Sequence, residues 1–153
     1  MKIRVEIDPS LNETEVVIHA PAITNEVALI QKAVSNVTDD KSEIVFYKDE
    51  TEFYLSLTKI LFFEANGNKI VAHSADNEYE VKYKLYELEE ILPAYFLRVS
   101  KSTILNTRRV YGLTKNLTAA SRVEFSGSPK VVYVSRNYYK SLKEVLNPSA
   151  KEN

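Results

Sequence analysis

The chain has 153 residues, 44% hydrophobic and 27% charged, a composition that fits one folded domain with a small appendage and excludes a disordered or fibrous protein. It contains no cysteine, which removes disulfides, thiolate metal ligands and thiol nucleophiles, and its three glycines leave little for a phosphate-cradling loop. The net charge of −1 conceals a division, with 9 Lys and Arg against 18 Asp and Glu in residues 1–92, and 10 against 2 in residues 93–147. A basic half of that kind suits an anionic partner; the plainer reading is a set of solvated strand faces. No run approaches the ~18 apolar residues of a membrane span. Met1–Asp8 also lacks the apolar block of a secretory signal, so a cytoplasmic protein is expected.

Lys2-Ile3-Arg4-Val5-Glu6-Ile7-Asp8 alternates with the period of a half-buried strand and stops at Asp8-Pro9-Ser10. Residues 15–20 read as a second short strand ended by Pro21, and Thr24 is placed to cap a helix carrying Val27, Leu29, Ile30, Ala33, Val34 and Val37. The polar stretch Thr38-Asp39-Asp40-Lys41-Ser42 marks a boundary, so residues 1–41 are expected to form a ββα appendage for dimerisation or partner contact. Beyond it the pattern is mostly β: runs at 44–47, 52–56, 60–65, 69–74 and 78–81 are rich in β-branched and aromatic residues. Asn66-Gly67 between two of them is a hairpin signal. A short helix over 85–92 stops at Pro93, strands follow at 96–99, 110–114, 122–125 and 131–134, and Ser135 is placed to cap a last helix over 137–146. The expected domain is 42–147, with 148–153 as a frayed tail.

Enzyme chemistry has little to build on. His19 and His73 are isolated and read as surface or strand-end residues, Glu87, Glu89 and Glu90 as a solvated helix face. No P-loop, dinucleotide fingerprint, nucleophile elbow or zinc pattern occurs, so neither an enzyme nor a cofactor or metal site is expected. The ten tyrosines suit strand faces, and some of them suit stacking on unpaired bases.

The most informative stretch runs from Tyr95 to Val110, where Phe96-Leu97-Arg98-Val99 leads into Ser100-Lys101-Ser102, then Ile104-Leu105-Asn106 and Arg108-Arg109. Hydroxyls and a lysine at a strand end suit phosphate oxygens, and Lys101 also suits guanine acceptors in a major groove. The structural alternative is a polar turn in which Ser102 and Asn106 satisfy local backbone groups. Arg136 opens the last helix, where the helix dipole disfavours a cation, and this marks it for function.

Taken in order, Ile60–Ala65, Asn66–Ile70, Leu85–Leu92, Phe96–Ser102, Ile104–Asn106 and Val134–Lys143 resemble the LytTR DNA-binding domain over roughly residues 43–147. The resemblance implies a mostly β (α+β) fold, an elongated β-β-β arrangement with short helices, whose inter-strand loops enter successive major grooves. It carries DNA contact over to Asn68 and Lys69, to Ser100, Lys101 and Ser102, and to Arg136 with Asn137 and Lys140 nearby. Many members have His where Asn68 and Ser100 stand here, so base preference is expected to differ. Arg108 and Arg109 are assigned to phosphates, as charge following the loop without a bidentate base geometry. A sequence-specific regulator of double-stranded DNA is therefore expected, a homodimer on direct-repeat-like sites, with a small inhibitory membrane protein as the implied partner. The rival readings are an RNA or single-strand binder using the tyrosines, and a protein-interaction module using the basic half.

Overall fold

The computed structural model describes residues 1–38 and 44–149. In chain order the elements are α1 (Asn25–Thr38), β1 (Phe46–Lys48), β2 (Thr51–Phe53), β3 (Phe62–Asn66), β4 (Lys69–His73) and β5 (Glu78–Val81). They continue with α2 (Leu85–Ile91), β6 (Phe96–Ser100), β7 (Thr103–Asn106), β8 (Val110–Thr114), β9 (Ser121–Phe125), β10 (Val131–Val134) and α3 (Arg136–Leu146). Short 3₁₀ turns at Leu57–Lys59 and Thr107–Arg109 lead into β3 and β8. The architecture is mostly β with a few short helices, as the sequence leads one to expect. No helix among the described residues is long and apolar enough to cross a membrane.

Seven strands form one antiparallel sheet in the order β2-β1-β5-β4-β3-β7-β6, and three form a second, β10-β9-β8. The run Ile60-Leu61-Phe62-Phe63 has no polar alternation because β3 lies in the middle of the larger sheet, covered on both faces. Side chains along the run go to opposite sides: Ile60 and Phe63 join one core with Phe46, Leu88, Phe96 and Ile104. Leu61 and Phe62 join another, with Leu105, Val123, Phe125, Val134 and Leu142. The first core is closed by α2, the second by α3 and the small sheet.

β7 is not legible as a strand in the sequence. Its four residues are all buried, and it pairs with β3 through Phe62–Leu105, Phe63–Ile104 and Glu64–Thr103. Asn106 ends it as a structural residue, 1% exposed. Its side chain donates to the Ile60 carbonyl at 3.0 Å and accepts from the Arg108 amide at 3.0 Å. The structural reading of Asn106 thus holds, and its reach is longer than a local turn.

His73 sits at a strand end as expected, but it is buried, not on the surface. Its ring stacks on Phe62 with centroids 4.2 Å apart, its Nε2 bonds Glu64 Oε1 at 2.7 Å, and Lys130 Nζ lies 3.2 Å from its Nδ1. Lys130 follows the β9–β10 turn, so this cluster joins the two sheets. Burial pushes the imidazole below its usual value of 6.5, with the Glu64 bond opposing.

The appendage differs from expectation. Thr24 does cap α1, its Oγ1 accepting from the Val27 amide at 3.3 Å. The two strands expected in residues 2–8 and 15–20 do not form, and residues 1–24 stay outside any ladder. A two-stranded hairpin is marginal without a surface to cover its apolar face, and no described residue of 1–35 is buried. The expected boundary at 39–42 and the last residues, 150–153, lie outside the described residues.

Two outcomes follow. Asn106→Ala strands the Ile60 carbonyl in the core and is expected to lower unfolding free energy by about 1–3 kcal/mol in urea titrations. For His73, the unfolded chain takes up a proton below 6.5 while the folded one resists it. Stability is therefore full above that value and falls as the pH drops through the range below it. Thermal melts across that range check it, and His73→Gln flattens the dependence.

Candidate nucleic-acid interface

Three segments singled out in the sequence meet at one end of the larger sheet. The first is the β3–β4 turn. Asn66 pairs with Lys69, leaving Gly67 and Asn68 as the loop, one residue later than the Asn-Gly signal implied. Gly67 takes φ +65, and Asn68 is not among the positive-φ residues, the pattern of a II′ turn with glycine first. Asn68 and Lys69 are exposed; Lys69 Nζ lies 4.0 Å from Glu80, a solvated pair of little strength.

The second is the β6–β7 turn, where Ser100 pairs with Thr103 and Lys101 and Ser102 form the loop. The Ser102 amide donates to Ser100 Oγ at 3.2 Å, so the Ser100 hydroxyl shapes the turn. Arg98 braces it from below. Its Nε donates to the Ser100 carbonyl at 2.7 Å, its guanidinium also reaches the Lys101 carbonyl, and its remaining side pairs with Glu89 of α2. Lys101 itself is exposed, with no ion-pair partner among the described residues.

The third is the start of α3. Ser135 holds the N-cap position, yet its hydroxyl does not cap; it turns to the Val99 carbonyl at 3.4 Å. Arg136, Asn137 and Lys140 are exposed, and the first turn has no acidic residue. Arg136 and Lys140, four apart, share one side of the helix.

Two backbone bonds bring the segments together. The Ala65 amide donates to the Ser102 carbonyl at 2.8 Å, joining the end of β3 to the second turn. The Ser135 amide donates to the Val99 carbonyl at 2.9 Å, joining that turn's strand to the third segment.

Arg108 and Arg109 are not part of this group. They lie at the other end of β7, about 13 Å of strand away. Arg108 covers the Tyr95 ring at 4.2 Å, and Arg109 Nη1 donates to the Thr58 carbonyl at 2.9 Å. Lys115, to which the sequence pattern assigns no role, does belong nearby. The β8–β9 loop leaves the small sheet at the end where Val134 pairs with Ser121, and Lys115 Nζ lies 5.2 Å from the Tyr139 ring of α3. Only the ladder reveals that neighbourhood, so no sequence signal marks it. Among the described residues no cluster of His, Asp or Glu is arranged to hold a metal ion.

The antiparallel sheet thus gathers lysine, arginine and small polar side chains on adjoining exposed turns, a class of β domain that carries its candidate site on loops and not in a cleft. Residues 50–147 match the LytTr DNA-binding domain, and the chain belongs to that family. Over 147 residues it is 30% identical to a Staphylococcus aureus NCTC 8325 protein described as an uncharacterized HTH-type transcriptional regulator, covering 96% of this chain and 99% of that one. A counterpart in strain MRSA252 is 29% identical over the same length. A solved LytTr DNA-binding domain from Bacillus cereus superposes with a TM-score of 0.63 at 19% identity, covering 69% of this chain and 98% of that one, which shows the shared fold. Among the described residues no two helices are consecutive in the chain, so none forms a helix-turn-helix pair.

Arg98 is expected to hold the second turn in shape. Arg98→Ala should speed hydrogen exchange of the Ser102 amide by about tenfold or more while leaving the β4 amides unchanged, as native-state exchange by NMR would show.

Proposed function

We propose that the protein is a cytoplasmic transcription regulator that binds double-stranded DNA as a homodimer on direct-repeat-like sites. Its inter-strand loops and the start of α3 are proposed to reach into successive major grooves along one DNA face. The observation that carries this reading is their convergence: Asn68 and Lys69, Ser100–Ser102, and Arg136 with Asn137 and Lys140 stand on adjoining turns, joined through Ala65–Ser102 and Val99–Ser135 backbone bonds. Family membership supports the DNA as ligand, and the staphylococcal relatives' description supports regulation.

The roles divide by geometry. Lys101 stands at the tip of a braced two-residue turn and Arg136 at a helix start, so both are assigned to base edges, where arginine and lysine pair with guanine. Lys69, Lys140 and Lys115 flank them as phosphate contacts. Asn68 offers both a donor and an acceptor, and it suits adenine. Ser100 is assigned to turn geometry before base contact, because its oxygen already accepts the Ser102 amide. Arg108 and Arg109 fall outside the contact surface in this reading, each engaged at the far end of β7.

Electrophoretic mobility or fluorescence titrations with a footprinted site and a scrambled duplex test it. Lys101→Ala and Arg136→Ala should each cost about 1–3 kcal/mol on the cognate duplex and much less on the scrambled one. Lys140→Ala should weaken both alike and lower the salt slope by about one. Equal losses on both duplexes for Arg136→Ala, or tighter binding of single strands than of duplex, would overturn the reading.

A further inference from the structure

The segment Lys2-Ile3-Arg4-Val5-Glu6-Ile7-Asp8 has no strand partner among the described residues. It has no regular secondary structure and lies outside any ladder, with Ile3 85% exposed, Val5 79% and Ile7 86%. Its end is fixed: the Leu11 amide donates to the Asp8 carbonyl at 3.2 Å and the Ser10 amide to Asp8 Oδ1 at 3.0 Å, turning the chain. Drawn out as a strand, such a segment would present backbone groups for pairing along its edges and an apolar row on one face.

Its charges run in the order plus, plus, minus, minus, and they are antisymmetric about Val5. We propose that residues Lys2–Asp8 pair antiparallel with the same residues of a second copy of this chain, with Val5 opposite Val5. In that register Lys2 faces Asp8, Arg4 faces Glu6 and Ile3 faces Ile7, twice over by symmetry. Sliding the register by two residues in one direction sets Arg4 against Arg4; in the other it sets Glu6 against Glu6. A slip of one residue puts charged side chains opposite apolar ones. Parallel in-register pairing stacks like charges throughout. One arrangement alone satisfies every position, and it is the two-fold one that makes a closed dimer.

Within a single chain Arg4 Nη2 lies 3.1 Å from Glu6 Oε1, with both side chains over 70% exposed. Such a solvated pair is readily exchanged for the cross-strand one. The apolar face of the ribbon would carry Ile3, Val5 and Ile7 from both copies. Each copy also holds apolar residues without a core to join: Val16, Val17, Ile18, Ile23 and Leu29 are all exposed. A second copy doubles the surface available to cover them.

This pairing deepens the homodimer part of the reading above, and its test does not involve DNA. Sedimentation velocity on the full chain compares wild type, Arg4→Glu, Glu6→Lys and an equimolar mixture of the two variants. Wild type is expected to dimerise. Each variant sets two like-charge pairs across the two-fold axis and should raise the dimer dissociation constant about tenfold or more. In the mixture a chain acidic at both positions meets a chain basic at both, so opposite charges return at each site and only between unlike chains. Its affinity should return to near wild type. Native mass spectrometry should find the heterodimer in excess over either homodimer. Far-UV circular dichroism melts keep the variants comparable, since neither side chain is buried. A monomeric wild type, variants that dimerise as tightly as wild type, or a mixture no tighter than its components overturns the pairing. Failure of the wild type to bind duplex in the separate titrations above, with the charge-swap pattern intact here, would instead overturn the DNA-binding assignment and leave the pairing standing.

Discussion

The pairing of β3 with β7 is the constraint on which both the fold and the interface depend. Phe62–Leu105 and Phe63–Ile104 face each other across the ladder, and neighbouring side chains on each strand enter different cores. A slip of one residue with β3 in place would exchange the two sets of β7, sending Ile104 towards the small sheet and Leu105 towards the other core. Asn106 secures the register, with its amide bonded to the Leu61 carbonyl at 2.8 Å and its side chain to Ile60. Because β3 ends in one hairpin turn and β7 begins at the other, this register also sets the two turns side by side. What holds the core in place is thus what aims Asn68 and Lys101.

Charge is distributed with the same division of labour. Several cations of the basic half are structural: Arg98 braces a turn, Arg109 bonds the Thr58 carbonyl, Arg122 pairs with Glu124, and Lys130 joins the sheets beside His73. Burial lowers Lys130 from its usual value by taking the ammonium out of water, with Glu78, Asp76 and Glu64 opposing. Lys101, Arg136 and Lys140 are exposed, and they stand at the convergent end. The tyrosines divide likewise: Tyr79, Tyr83 and Tyr95 belong to one core, Tyr138 and Tyr139 to the other, which removes five of ten from a stacking platform for single strands.

Much of this is legible in the sequence because the pattern is local. The strands β5, β8 and β10 and the start of α2 follow from β-branched runs and turn residues, and the Ser-Lys-Ser corner marks itself by composition. β7 escapes because a fully buried four-residue strand has no alternation, and its Thr and Asn ends look like loop. The bracing role of Arg98 and the neighbourhood of Lys115 rest on contacts between distant segments, which no window along the chain contains. The N-terminal segment shows the opposite failure. Its period-2 pattern is strand-like, but periodicity describes a face and says nothing of what covers it.

Reading DNA with turns, as proposed for this chain, poses a problem that a recognition helix does not have. Helix side chains are held by the helix's own hydrogen bonds, whereas a turn is mobile unless its neighbours restrain it. Here the restraint comes from the sheet. Each hairpin has only two loop residues, the commonest tight connection of antiparallel strands, so little backbone is free to move. Arg98 then directs two hydrogen bonds at the Ser100 and Lys101 carbonyls, and the Ser100 oxygen accepts the Ser102 amide. A histidine in place of Ser100 would reach further towards a base but lose the hydroxyl acceptor that closes this turn. Under the proposed reading, Ser100 is a position of support, its hydroxyl closing the turn. Discrimination in that reading falls on Lys101 and Arg136, two exposed long cations at the braced end.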